Sequence, residues 1–318
     1  MTTWVEANRL ANLAAAQAHG DLRIDTATGP VDVYGAICDA GVVLMWRPMP
    51  RQFGAYINEP GSRPGILINN GLPPAAQRHT AGHELGHHFL GHGTRTDTDL
   101  DASWDRRPAW PAEEKLAEAF AAWFLMPRKA VMAALSLLGI QRPHTPDQAY
   151  QLSLILGAPY RATVRHLPNL GLASQNHAAA WARIPPNVIK ERLDPAVSAP
   201  PSRKPDVWVI GPRFARRQLT VHPGDRIVIM PPHPGSRLIS CPEGTRTLPV
   251  KSKARQGLLI QLPGRSAPSD PIVIEVGAQV VGASARLAVA SDAEAAGQWD
   301  VGMRVEGQRS GIAARWTS

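Results

Sequence analysis

Apolar positions in the first 130 residues of the chain alternate between helical and strand spacing. Residues 3–20 carry alanines and leucines at helical intervals behind Thr3-x-x-Glu6, a pattern in which two side chains cap each other's backbone amides. Residues 30–40 predict a second helix, with Pro30 at its start and Gly41 at its stop. Three short β-rich runs follow, at 42–46, 53–57 and 65–69, punctuated by Gly54, Pro60-Gly61 and Pro64-Gly65. Helical spacing returns from Pro73 or Pro74 to about Gly91, with Leu85, Phe89 and Leu90 giving a buried face. Residues 92–109 are polar and predict a loop. A helix over 111–127 then carries Leu116, Ala117, Phe120, Ala121, Phe124 and Leu125 as one apolar stripe.

Short helices are predicted at 128–138, 146–156 and 159–168. The segment 151–167 has an apolar first helix, Gly157 at a turn, and a second helix with Arg161 and Arg165 outward, which is the form of a helix-turn-helix. Residues 194–206 are rich in Pro and Ser and read as a linker. Beyond them the pattern is β-rich, with strands expected at 207–210, 226–230, 257–262, 272–276 and 279–281, and one helix near 292–297. The expected organisation is a domain over 1–127, a helical region over 128–193, the linker, and a separate β-rich domain over 207–318. No internal repeat is visible.

The candidate chemistry lies on the helix that ends near Gly91. His83-Glu84-Leu85-Gly86-His87 places two imidazoles four residues apart, hence on one helical face, with a carboxylate next to the first. A zinc hydrolase needs that set: ligands for the ion and a nearby base for water. The plainer reading is an amphipathic helix whose histidines are surface groups or satisfied core groups. His88 and His92 are also four apart, but no Glu follows His88 and their face is rotated by about 100°. A third ligand must come from elsewhere. Glu114 offers it, because it lies three residues before Ala117, on or beside the buried stripe, where a carboxylate is costly unless paired or metal-bound. Glu113 and Glu118 fall further round and read as solvated. Asp97, Asp99 and Asp101 alternate in the polar loop, but the glycine and glutamate of a calcium loop are missing.

Two stretches resemble the ImmA/IrrE metallo-endopeptidases: Arg78-x4-His83-Glu84-Leu85-Gly86-His87, and Glu114-x-x-Ala117-x-x-Phe120-Ala121-x-x-Phe124-Leu125-Met126-Pro127. Gly54-x-Tyr56 and residues 66–69 are similar to the family's strands before the active helix. The resemblance covers roughly residues 30–175. It implies an α+β, zincin-like fold with a small sheet and an active-site helix. It implies a gluzincin-type peptidase with one zinc ion on His83, His87 and Glu114, and Glu84 as base. A His₂Glu set also accepts manganese or another divalent ion. Where the family has Asn or Asp after the motif alanine, this chain has Glu118. Tyr56 and Arg78 are candidates for a second oxyanion donor by proximity in sequence only. The resemblance also implies a substrate: a helix-turn-helix repressor, here a separate protein, cleaved in a stress, phage or mobile-element response.

Charge changes the picture in the second half. The net charge is +8, and arginine supplies most of the basic residues. Residues 1–150 hold 13 Lys/Arg against 15 Asp/Glu, and residues 151–318 hold 21 against 11. A basic half suits a polyanion or an acidic partner surface, but its arginines are scattered and fit ordinary solvated faces as well. Arg161 and Arg165 therefore have two readings, as contacts to nucleic acid or as part of a bundle that buttresses the peptidase and docks substrate; the second is preferred. The alternative to a peptidase is a DNA-binding or sensor regulator with a structural or inactive metal site. Cys38 and Cys241 are the only cysteines and lie far apart, which argues against a disulfide framework. No signal-peptide pattern and no membrane-length apolar run are present, so the expected location is the cytoplasm.

Overall fold

Thr3 opens the first helix as its capping pattern predicts. In the computed structural model the Glu6 amide donates to Thr3 Oγ1 at 3.2 Å, the Thr3 amide donates to Glu6 Oε2 at 2.7 Å, and α1 runs Trp4–Asp21. The structure describes residues 2–27, 29–98, 110–194, 205–214, 218–222, 224–229, 237–240, 246–251, 256–261, 272–275 and 284–289. Helix α2 (Val33–Asp39) begins behind Asp32, whose carboxylate accepts from the Gly35 amide at 3.0 Å.

The first sheet has strands β1 (Val43–Arg47), β2 (Gln52–Ile57), β3 (Gly65–Asn69) and β4 (Arg95–Thr98), in the order β1-β3-β2-β4. β1 and β3 are parallel; β2 is antiparallel to both β3 and β4. Strand β4, which holds Asp97, corrects the expectation of a loop throughout 92–109. An edge strand needs backbone partners on one side only, so polar side chains do not exclude it. Asp99 and Asp101 lie outside the described residues.

Helix α3 (Pro74–Phe89) packs on β2 and β3 with one face and on α4 (Ala112–Leu125) with another, while α1 covers α4 from the far side. The contact between α3 and α4 is close because Gly82 and Gly86 face it. A Cβ on Gly86 would lie 3.1 Å from Phe120 Cβ and 3.2 Å from Ala117 Cα. Helix α4 is thus covered on two sides. Glu118, expected to be solvated, is 5% exposed, which corrects the single-stripe reading of this helix.

Helices α5 (Arg128–Leu138), α6 (Pro146–Leu156), α7 (Tyr160–His166), α8 (Gln175–Ala182) and α9 (Pro186–Leu193) follow. Gly157 sits at φ 60° between α6 and α7, a left-handed conformation that favours glycine and makes the expected helix-turn-helix bend. Among the described residues no single helix is long and apolar enough to cross a membrane, and Cys38 is a free thiol.

The later strands are β5 (Val207–Ile210), β6 (Gln218–Val221), β7 (Arg226–Ile229), β8 (Arg237–Ser240), β9 (Arg246–Lys251), β10 (Gln256–Gln261), β11 (Ile272–Glu275) and β12 (Ser284–Val289). They form two sheets, β5-β7-β10-β9 and β6-β12-β11-β8. Strand β5 is anchored to the helices. The Gln151 side chain donates to the Val207 carbonyl and accepts from the Val209 amide, both at 2.7 Å, as a neighbouring strand would. Tyr150 donates to Asp206 at 2.7 Å, and Lys190 pairs with the same carboxylate at 2.8 Å. The strand expected at 279–281 and the helix near 292–297 lie outside the described residues.

Candidate metal centre

His83 and His87 lie one turn apart on α3, in the part of the helix enclosed between sheet and α4. Glu114 enters from the first turn of α4. The Nε2 atoms of His83 and His87 are 3.1 Å apart, and Glu114 Oε2 lies 3.2 Å from the first and 3.6 Å from the second. A tetrahedral ion with bonds of about 2.0–2.1 Å sets its donors about 3.3 Å apart. The three donors therefore fit a divalent cation in spacing and in chemistry, since two imidazoles and a carboxylate are ordinary zinc ligands. Burial pushes the Glu114 carboxyl up, but hydrogen bonds and charge from His83 and His87 outweigh it and hold the group well below the usual carboxylate range. It stays ionised, as a ligand must.

Glu84 is 1% exposed and faces β2, where Gly54 makes room for it. A Cβ on Gly54 would lie 2.8 Å from Glu84 Oε1 and 2.5 Å from Thr80 Cγ2. The glycine is needed here for close approach of strand and helix, not for an unusual backbone angle.

Three supporting residues were not anticipated. Glu118 Oε2 sits 2.9 Å from His79 Nε2 and 3.7 Å from His83 Nδ1, on the side of the His83 ring away from the cluster. His92 Nδ1 lies 2.8 Å from His87 Nδ1. Groups at the distal nitrogen of a ligand imidazole set its tautomer and orientation. The spacing held partial signals: His79 is one turn before His83, and Glu118 one turn after Glu114. For His92 the signal is Gly91, at φ 69°, which ends the helix and turns the chain back, with the His92 amide donating to the His87 carbonyl at 3.0 Å.

The remaining candidates are dispersed. Tyr56 lies further along the same face of β2, and its hydroxyl is 3.0 Å from His88 Nδ1. His88 and His92 thus make separate contacts and do not converge as a second metal pair. Arg78 is committed elsewhere: it donates to the Gly157 carbonyl at 3.0 Å and the Val31 carbonyl at 2.6 Å. It braces the α6–α7 bend against the chain before α2 and is not part of the His83–His87–Glu114 cluster. Arg161 and Arg165 line a cavity between α7, α8, α4 and α1. They are not part of the His83–His87–Glu114 cluster.

Residues 39–140, from the end of α2 through α5, match the peptidase family described as the IrrE N-terminal-like domain. The match contains β1–β4, the α3 histidines and Glu114. A search of curated proteins finds no matching relative.

Proposed function

We propose that the chain, whose residues 39–140 match the IrrE N-terminal-like peptidase domain, is a zinc-dependent endopeptidase of the gluzincin type. The observation that carries this reading is the convergence of His83, His87 and Glu114 beside the buried Glu84. His83, His87 and Glu114 would hold one zinc ion per chain, which would supply Lewis acidity towards water and a scissile carbonyl; manganese or another divalent ion would fit the same donors. Glu84 accepts the proton of the attacking water and hands it to the leaving amine. Glu118 and His92 hold the two imidazoles in the orientation that presents Nε2 to the cluster. Tyr56, with His88 behind its hydroxyl, gives the developing oxyanion a second hydrogen bond. Strand β4, at the end of its sheet, takes an extended substrate segment as a further strand.

The substrate we infer is a separately encoded helix-turn-helix repressor, cut in the cytoplasm during a stress, phage or mobile-element response. Its support is the family resemblance. The alternative is a DNA-binding or sensor regulator with a structural or inactive metal site, and its DNA-binding form needs α7 in a groove. Tyr160, Ala162, Thr163, Val164 and His166 of this seven-residue helix are buried, which leaves little of it to enter one.

Elemental analysis of the wild type beside Glu114→Ala tests the metal, and cleavage assays of candidate repressors with the wild type beside Glu84→Gln test the chemistry. The expected result is near one zinc per chain, lost or much weakened in Glu114→Ala. Cleavage should fall by about 10²-fold or more in Glu84→Gln at unchanged metal content. Cleavage at the wild-type rate by Glu84→Gln would overturn the peptidase reading.

A further inference from the structure

Trp4, Asn8, Asn12, Ala16 and His19 follow one edge of α1 at helical spacing. Trp4 and Asn8 line a half-open, mostly polar cavity of about 600 Å³, and Asn12, Ala16 and His19 line a smaller one of about 270 Å³. The cavities adjoin at Asn169, which lines both and whose side chain donates to Asn8 Oδ1 at 2.8 Å. Together they form one groove, about 22 Å long by the rise of α1. Helix α1 is one wall, α4 the floor, and α7 with the chain into α8 the other wall. Arg161 and Arg183, both exposed, stand at the Trp4 end. The His19 end is lined by Ala15, Pro127 and Leu170, with exposed Arg128 beside them. Among the described residues Glu118 is the single carboxylate lining either cavity, and it is buried and held by His79 at 2.9 Å. The helices around the groove carry charge of one sign: residues 128–193 hold eight Lys/Arg and two Asp/Glu. Of the two acids, Asp147 is paired with Arg192.

We propose that this groove docks an acidic segment of a protein partner, anchored by one apolar side chain in the smaller cavity. Exposed arginines over an open, polar cleft suit carboxylates carried on a chain, where several solvated contacts act together and steer the encounter. The smaller cavity falls below the range of about 300–1,000 Å³ for small-molecule pockets, and its alanine, proline and leucine lining suits one large apolar side chain. At about 3.3 Å per residue, an extended segment of about seven residues spans the groove. It lies over the Asn8–Asn169 bridge, with its anchor at the His19 end and its acids towards Arg161 and Arg183. A single chain fits between α1 and α7, because both helices pack on α4, and a duplex is too broad for that space. The apolar cavity has no counterpart in a phosphate backbone, which favours a protein over a nucleic acid. The groove is separate from the His83–His87–Glu114 cluster, and docking there does not depend on peptide hydrolysis.

A displayed library of random dodecapeptides, panned against the full chain, tests the proposal, with the selected peptides then measured by fluorescence anisotropy. They should be rich in Asp and Glu, carry a Leu, Ile, Phe or Trp, and bind one per chain. Arg161→Glu/Arg183→Glu should weaken them by about tenfold or more, and added salt should weaken binding to the wild type. Ala16→Phe, at an exposed position that lines the smaller cavity, should also weaken them about tenfold with no change of charge. Both variants should keep the wild-type circular dichroism spectrum. Should the charge reversal not fold, Arg161→Gln/Arg183→Gln takes its place beside Ala16→Phe. The proposal is overturned if no acidic peptides are enriched, if either variant binds them as the wild type does, or if peptides without an apolar residue bind equally well. A short DNA duplex that displaces the peptides more effectively than they displace one another would assign the surface to nucleic acid and overturn it too.

Discussion

The Glu118 carboxylate is held 2.9 Å from His79 Nε2, beneath the ring of His83, whose Nδ1 is 3.7 Å away. One acid thus bridges two histidines a helical turn apart on α3 and ties the orientation of a candidate ligand to the packing of α4. Removing it frees the His83 ring and leaves His79 buried without this acceptor. Glu118→Ala should weaken metal affinity by about 10- to 100-fold. Competition with a chelator of known affinity measures this. Glu118→Gln, which keeps an acceptor oxygen, should lose less. Equal affinity for all three proteins would mean that Glu118 serves packing alone.

Gly54 governs the approach of β2 to Glu84. In Gly54→Ala the new methyl must displace Thr80 or the Glu84 carboxylate, from which it would lie 2.5 and 2.8 Å. Overpacking of this kind costs about 1–3 kcal/mol of stability. The sharper expectation is functional. Metal content should stay near the wild-type value, because the atoms nearest the methyl belong to Thr80, Glu84 and Leu67 and not to a ligand histidine, while proteolytic turnover per folded molecule falls. Turnover at the wild-type level in a folded Gly54→Ala protein would show that Glu84 has room to shift without consequence.

Arg78 tests the boundary between scaffold and chemistry. Its two carbonyl acceptors, Val31 and Gly157, belong to segments far apart in the chain, and burial pushes the guanidinium pKa down while Tyr34 and Asp32 oppose the shift. Lysine cannot bridge both carbonyls with a planar fork. Arg78→Lys should therefore lower stability by about 1.5–3 kcal/mol, read from the midpoint of chemical denaturation. Activity normalised to folded protein should not change. A selective loss of turnover with unaltered stability would return Arg78 to the reacting site.

Much of the site was legible because its chemistry is local. His83, Glu84 and His87 share one turn-spaced motif, and Glu114 stood out because a carboxylate beside an apolar stripe needs a partner. Residues whose role depends on how two elements meet were not legible in the same way. Glu118 read as solvated because a single stripe gives α4 one buried face, whereas α1 covers the opposite face as well. Arg78 lies one turn and a half before the motif, but its side chain leaves in another direction, towards α6. Strand β4 was hidden because Arg95-Thr-Asp-Thr98 has no apolar alternation, and its pairing with β2 is a property of the backbone. The β-rich character of the later chain was visible in its residue types. The Gln151 side chain that joins β5 to α6 was not, because a glutamine acting as a strand edge has no pattern in sequence.

His166 should make the protein acid-sensitive in a defined window. Its imidazole is 2% exposed, lies edge-on to Trp123 at 4.6 Å, and has Nε2 3.2 Å from the Met126 carbonyl. Burial pulls its pKa down, and the Met126 carbonyl opposes this only in part, leaving a value of about 4. An unfolded histidine titrates near 6.5. The unfolded chain therefore takes up this proton first as pH falls. The stability from neutral His166 is complete above about pH 6.5, declines below it, and is lost once the pH passes the folded value, a change of about 3 kcal/mol. His19 and His88, both lowered by burial, act in the same direction. In His166→Gln, which keeps an N–H donor for the Met126 carbonyl, the decline between pH 6.5 and 4 should shrink by most of that amount. Denaturation midpoints measured at several pH values on both proteins give the comparison. Parallel curves would show that His166 is protonated in the folded state and that its burial is relieved by water.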